Sequence, residues 1–133
     1  MQRLTVSTGT PWEAKVGYSR AVRVGDLVFV SGTLAADEEG RIVGAGDAHA
    51  QALYALHKIE RAMQQIGASR RDVVRTRVYV RRIEDMEAIG RAHAEFFGGV
   101  RPASTMVEVG RFAAADGLVE IEVDAAVAGG TAL

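Results

Sequence analysis

Glu120 and Glu122 stand two residues apart in a valine- and isoleucine-rich stretch of this 133-residue chain. Alternate residues of a strand face the same way, which places the two carboxyls about 6.5–7 Å apart. Paired carboxylates can carry acid–base work. On an exposed strand face they are more often solvated or ion-paired. The three histidines make no metal site. His49 and His57 lie eight residues apart, two helical turns plus a remainder, too far to chelate one ion. His93 falls in an apolar stripe and reads as a packed, hydrogen-bonded histidine, with Glu95 at i+2 pointing elsewhere. The absence of cysteine excludes a thiolate nucleophile, a disulfide framework and a Cys-based zinc site. No Ser/His/Asp set and no G-x-S-x-G elbow is present. Gly98-Gly99 and Gly129-Gly130 lack the phosphate-loop pattern and read as a helix stop and a loose tail.

These side chains need a frame. One helix is predicted from Asp47, an N-cap, to Gly67, with Leu53, Leu56, Ile59, Met63 and Ile66 in one apolar stripe. A second is predicted over Glu84–Phe97, with Met86, Ile89, His93 and Phe96/Phe97 as its stripe and acidic residues in its first turn. Period-two alternation predicts strands at Arg20–Val24, Leu27–Ser31, Asp72–Val80, Ser104–Arg111 and Leu118–Val127. Gly25-Asp26 reads as a hairpin turn, and Asp37–Gly40 as a turn into a short strand at Arg41–Val43. The expected order is β-β-β-α-β-α-β-β, a single α+β domain over 1–133 with one mixed sheet and both helices on one face.

On the uncovered face, Arg75, Arg77, Tyr79 and Arg81 would oppose Glu120, Glu122 and Asp124. If those strands are neighbours, cross-strand ion pairs follow, each about 0.2–1 kcal/mol. Val74, Thr76, Val78 and Val80 would face the helices, and Phe29, Tyr79 and Met106 would lie among the charges. Such a face is either solvated or a polar surface between subunits.

Sixteen Lys+Arg against 17 Asp+Glu give a net charge of −1 and a pI near 6.3. That balance argues against nucleic acid as a partner and for a small ligand or a protein. No apolar run reaches the roughly 18–20 residues of a membrane span, and Met1–Gly17 lacks a signal-peptide apolar region, so the expected location is cytoplasmic, with no membrane partner.

Several separated segments resemble one family. They are Gly17-Tyr18, Ala21-Val22, Val24–Gly32, Gly40, Gln51, Gly67-Ala68-Ser69, Asp72–Thr76, Val78-Tyr79-Val80, Phe96-Phe97, Pro102-Ala103, Val107-Glu108-Val109 and Val119–Glu122. No single tripeptide is specific; the ordered set is similar to the Rid (YjgF/YER057c/UK114) family over about residues 17–127. The resemblance implies a chorismate-mutase-like α+β fold and a homotrimer with sheets around a central axis. It also implies three small-molecule clefts between subunits. The best-known members hydrolyse enamines and imines to 2-keto acids and ammonia without metal or cofactor, so neither is expected.

By the same resemblance Tyr18 matches the cleft tyrosine, and Ser31-Gly32 the strand-end pair near the ligand. Glu120 matches the acidic residue associated with the attacking water. Where archetypal members place a carboxylate-clamping arginine after Pro-Ala, this chain has Ser104, followed by Thr105. Both are expected to line the site as neutral groups. A charge-assisted bidentate contact is worth about 1.5–3 kcal/mol, so capture of archetypal 2-imino acids is expected to be weak or absent. Arg101, arriving from a loop three residues earlier, is the candidate replacement. Gly90 stands where archetypal members often have Asn. The expected function is hydrolytic deamination of a different imine or enamine in an inter-subunit cleft. The alternative is a non-catalytic trimer that binds a small metabolite or a partner. A ribonuclease reading fits the charge least well.

Overall fold

The computed structural model describes residues 2–128. Gly129-Gly130 and the end of the small-residue tail lie outside the described residues. The elements run β1 (Arg3–Val6), α1 (Pro11–Val16), β2 (Ala21–Val24), β3 (Leu27–Leu34), α2 (Ala48–Gln64), β4 (Val73–Val80), α3 (Met86–Phe97), β5 (Ala103–Glu108) and β6 (Val119–Ala126). The strands form one sheet in the order β1-β2-β3-β6-β4-β5. Every pairing is antiparallel except β4 with β5, which is parallel.

Local chemistry sets the long helices. The Asp47 side chain accepts a hydrogen bond from the Ala50 amide at 3.0 Å and so starts α2. Beyond its end Gly67 takes φ +82°, a conformation costly for any other residue. Arg23 reaches from β2 to donate to the Ile66 carbonyl at 2.8 Å, a cation at a helix C-terminus. Arg70 ties the two helices together. It pairs with Glu60 at 2.6 and 2.9 Å, donates to the Phe96 carbonyl at 2.8 Å and stacks 3.9 Å from the Phe96 ring. Leu56, Ile59 and Met63 of α2 and Ile89, Phe96 and Phe97 of α3 bury their stripe against Val28, Val78, Ile121 and Val123 of the sheet.

Gln51 is a polar residue within this core and is fully buried. Its amide nitrogen donates to the Gly44 and Asp116 carbonyls at 3.1 Å each, and its oxygen accepts from the Leu118 amide at 2.8 Å. One side chain thereby pins two loops that have no ladder of their own. Gln51→Leu keeps the volume but strands three backbone groups. The expected cost is about 1–3 kcal/mol, read as a lower urea midpoint at unchanged m.

The uncovered face follows the alternation of β6. Val119, Ile121, Val123 and Ala125 are buried, while Glu120, Glu122 and Asp124 look the other way. Arg77 lies between the last two, 3.2 Å from Asp124 and 3.8 Å from Glu122, and the Tyr79 hydroxyl donates to Glu122. Phe29 opposes Asp124 and is 46% exposed.

Five expectations are corrected. A register shift between Val73 and Arg75 turns Val73 into the core and leaves Val74 51% exposed. Met106 pairs with Val78, so it lies on the helix side of β5 and not among the charges. Arg41–Val43 forms only an isolated bridge between Ala36 and Ile42. β1 and α1, which the expected order lacked, precede β2, so the described residues hold three α-helices and not two. At the start of α3 a 3-10 turn, Ile83–Asp85, precedes the helix, and Met86 stays 40% exposed.

Candidate functional site

The residues singled out in the sequence gather in two places. The first is a cleft of about 460 Å³ beside α1, lined by Arg3, Glu13, Gly17, Tyr18, Ser19 and Ser31 among others. Gly17 closes α1 with φ +86°, and the amides of Gly17 and Tyr18 both donate to the Glu13 carbonyl, at 2.9 and 3.0 Å. That tight turn brings Tyr18 to the cleft. The Glu13 carboxylate accepts from Ser7 Oγ at 2.9 Å, from the Thr8 amide at 3.0 Å, from Thr8 Oγ1, and from Thr10 Oγ1 at 3.1 Å. Burial pushes its carboxyl pKa upward. Together, the hydrogen bonds from Thr8, Ser7 and Thr10 outweigh that and hold it below the ordinary value.

Ser31 and Gly32 occupy the irregularity in β3, between the Val30 and Thr33 pairings with β6. Ser31 Oγ donates to the Ser19 carbonyl at 2.8 Å. Gly32 lies against Glu120: a Cβ there would sit 3.0 Å from Oε2 and 3.1 Å from Cδ. The Gly32 carbonyl in turn accepts from Arg20 Nη2 at 2.7 Å. The Arg20 guanidinium lies 5.8 Å from the centroid of the Tyr18 ring, and its buried Nε has no partner. Arg20 therefore joins Tyr18, Gly32 and Glu120 into one cluster. Sequence reasoning passed over it, and its only signal was a cation two residues after the tyrosine.

Burial raises the pKa of the Glu120 carboxyl. Arg20 opposes that and Glu122 adds to it. A carboxyl so placed takes up and releases a proton more readily near neutrality than an exposed glutamate does. Gly32→Ala is expected to displace it. The new methyl meets the end of a flexible side chain, so the fold survives while the carboxyl moves by some tenths of an ångström. The check is a melting temperature within about 2 °C of wild type, together with a clear loss of any Glu120-dependent activity.

The second place is a cleft of about 340 Å³ at the end of α3, lined by His93, Ala94, Phe97, Gly98, Arg101 and Pro102. Beside it Thr76 is fully buried and shares hydrogen bonds with His93 Nε2 at 2.9 Å and Ser104 Oγ at 2.8 Å. Desolvation lowers the His93 pKa and favours the neutral ring. Parallel pairing with β4 sets Ser104 beside Thr76 and Thr105 beside Arg77, on opposite faces of the sheet. Glu120 pairs with Tyr79 on the charged face. Within one chain, then, the sheet separates Ser104 from Glu120. Thr105 shares the face of Glu120 but lies two strands away, about 9.5 Å laterally.

The histidines are dispersed. His49 pairs with Glu95 at 3.0 Å, His57 meets the Phe96 ring edge at 5.3 Å, and His93 is held by Thr76. Among the described residues no group of three or more His, Asp or Glu is arranged to hold a metal. No helix among them is long and apolar enough to cross a membrane.

A single mixed sheet with α2 and α3 on one face is the chorismate-mutase-like architecture of YjgF proteins. The family model described as Endoribonuclease L-PSP matches residues 8–127, and the chain belongs to this YjgF/YER057c/UK114 (Rid) family. The crystal structure of Rv2704 from Mycobacterium tuberculosis, a member of that family, is 48% identical. It aligns over 95% of this chain and 100% of its own, with a TM-score of 0.85. The Rid-family protein YyfA of Yersinia pestis is 26% identical, with a TM-score of 0.82 over 95% of this chain and 100% of that one. The 3-aminoacrylate deaminase RutC of Acinetobacter baylyi is 34% identical over 90% of this chain and 94% of its own length.

Proposed function

We propose that the protein hydrolyses a small enamine or imine other than the archetypal 2-imino acids, in clefts completed between the subunits of a homotrimer. The observation that carries this reading is the half-buried Glu120 carboxyl, seated against Gly32 and flanked by Arg20. In this reading the enamine first takes a proton at its β-carbon to become the imine; Glu120 then orients the attacking water and takes its proton as the C=N carbon becomes tetrahedral, and returns that proton to nitrogen as the C–N bond breaks and ammonia leaves. Tyr18 and Ser31 hold the substrate from the same subunit. Ser104 and Thr105, which one chain cannot bring to Glu120, belong to the neighbouring subunit's contribution. The uncovered face offers what such packing needs: Leu27, Phe29 and Val107 are 51, 46 and 43% exposed beside a row of matched charges. The similarity to a 3-aminoacrylate deaminase favours the enamine over the imine.

The test generates 3-aminoacrylate and 2-iminobutanoate in situ and follows ammonia release with wild type and Glu120→Gln. Glu120-dependent acceleration on the enamine, with little on 2-iminobutanoate, is the expected result. Binding of these compounds without acceleration would favour the non-catalytic alternative. Light scattering tests the assembly, and a stable monomer would remove the shared cleft.

A further inference from the structure

Outside the Glu120 cluster, two hydroxyls and an imidazole form an unbroken chain of hydrogen bonds. Thr76 Oγ1 lies 2.9 Å from His93 Nε2 and 2.8 Å from Ser104 Oγ. Thr76 is fully buried on the core side of β4, where Val78 and Val80 hold the next two alternate positions. A third valine would satisfy the packing, and a buried hydroxyl is costly unless it is bonded. Ser104 is the neighbour of Thr76 in the parallel ladder and is exposed. One end of the chain therefore stands in solvent and the other on a half-buried imidazole.

Each link has the state that a proton relay needs. Burial lowers the pKa of the His93 ring, which is then neutral near pH 7 and free to accept a proton. The Phe97 ring, with its centroid 4.7 Å away, fixes the orientation of the imidazole. Among the described residues the buried side-chain nitrogen or oxygen without a partner is Arg20 Nε, so His93 Nδ1 is not sealed from solvent. A proton on Nδ1 leaves the Nε2 lone pair facing Thr76. Serine and threonine hydroxyls rotate to suit their neighbours, so Thr76 can donate to His93 while it accepts from Ser104.

We propose that Ser104 is the nucleophile of a second, acyl-transferring site, with Thr76 and His93 as positioning residues that carry its proton away. The substrate class is a small carboxylic ester with a short acyl chain, for which the adjoining cleft of about 340 Å³ offers Ala94, Phe97 and Pro102. Arg101 lines the same cleft, and its guanidinium meets the acyl oxygen as that oxygen gains negative charge. In the first step Ser104 Oγ bonds to the acyl carbon. Its proton passes to Thr76 Oγ1 as the Thr76 proton passes to His93 Nε2. The C–O bond to the alcohol then breaks, and the same chain returns a proton to the departing oxygen. Water attacks the acyl-serine with the relay again as base, which releases the carboxylic acid and restores Ser104. The relay lies within one chain and does not involve Glu120, so the inference does not rest on enamine hydrolysis.

The probe is p-nitrophenyl acetate, mixed with the intact protein. Nitrophenolate release gives the rate, and peptide mass spectrometry locates the acetyl group. The acetyl group should appear on Ser104, and wild type should release nitrophenolate at least about tenfold faster than Ser104→Ala. Thr76→Val keeps the shape and loses the hydroxyl, so it and His93→Gln should be as slow as Ser104→Ala. Thr76→Ser restores a hydroxyl and should recover most of the rate. The wild-type rate should rise with pH through an inflection below the ordinary histidine value and then level off. His93→Gln should lose that inflection, a change that a merely structural histidine would not give. Acetyl groups confined to lysines or the N-terminus, or a wild-type rate matched by Ser104→Ala, would overturn the proposal. Should Thr76→Val or His93→Gln fail to fold, Ser104→Ala and the wild-type pH profile decide the matter by the same criteria. Acylation of Ser104 in a protein that hydrolyses no enamine would leave this inference standing and remove the other reading.

Discussion

Glu120→Gln is expected to lower enamine hydrolysis by about 10²–10⁴-fold, the range a positioned general base contributes, while leaving the fold slightly firmer. Glutamine fills the same space beside Gly32 but cannot accept the proton of the attacking water. The stability change has a sign set by burial. A carboxyl whose pKa is raised on folding contributes fully below its unfolded value, and that contribution is lost as pH rises through the folded value. The variant, free of this titration, should therefore match wild type at pH 4 and melt higher at pH 8. The same titration shapes the rate. Activity of the wild type should fall on the acid side as Glu120 takes up its proton, at a pH above that of an exposed glutamate. A pH profile of kcat/KM combined with melting curves checks both. A variant that loses activity and melts lower at pH 8 would mark Glu120 as a structural ion-pair partner of Arg20 and not as the base.

Ser104→Arg is expected to confer hydrolysis of 2-iminobutanoate on a protein that otherwise accelerates it negligibly. The site tolerates the change. Ser104 is exposed on β5, and Thr76 keeps its bond to His93 when the serine hydroxyl leaves. A new bidentate contact of about 1.5–3 kcal/mol converts to roughly 10- to 150-fold in substrate capture. Arg101 does not pre-empt this gain, because a loop guanidinium three residues upstream does not stand where a carboxylate on the imine carbon would lie. Adding Glu120→Ala should abolish the acquired activity, which ties both halves of the cleft to one reaction. Wild-type turnover of 2-iminobutanoate at the rate of Ser104→Arg would sink the argument about Ser104.

How much of this was readable beforehand depended on the regularity of each element. In β6 the alternation from Val119 to Ala125 is unbroken, and both faces were assigned correctly. In β4 the register shift after Val73 inverted the side on which Val74 falls, and periodicity carries no mark of such a shift. β1 has four residues and α1 six, too short for a period to show. Thr10, Pro11 at the first helical position and Gly17 at the stop were nevertheless a legible helix signature. Tyr18, Ser31, Gly32 and Glu120 were singled out by resemblance alone, and in the structure they lie together around Arg20. That Ser104 and Thr105 face opposite ways was implicit in strand alternation. Which of them faces His93 depended on parallel pairing with β4, a long-range contact that no local pattern specifies.

The strand order also bears on how the chain comes to be folded. β6, the last strand in sequence, lies in the middle of the sheet between β3 and β4, and it pairs with β3 across about ninety residues. Until it arrives, the β1-β2-β3 ribbon and the β4-β5 pair are two unjoined sheets, each with an open edge and an apolar face. Loop closure over that distance precedes most of the reward, so folding should be slow for a domain of this size. On the ribosome the nascent chain can complete its core only after β6 has emerged from the exit tunnel. Removing β6 should leave a sticky, chaperone-bound fragment instead of a smaller stable protein.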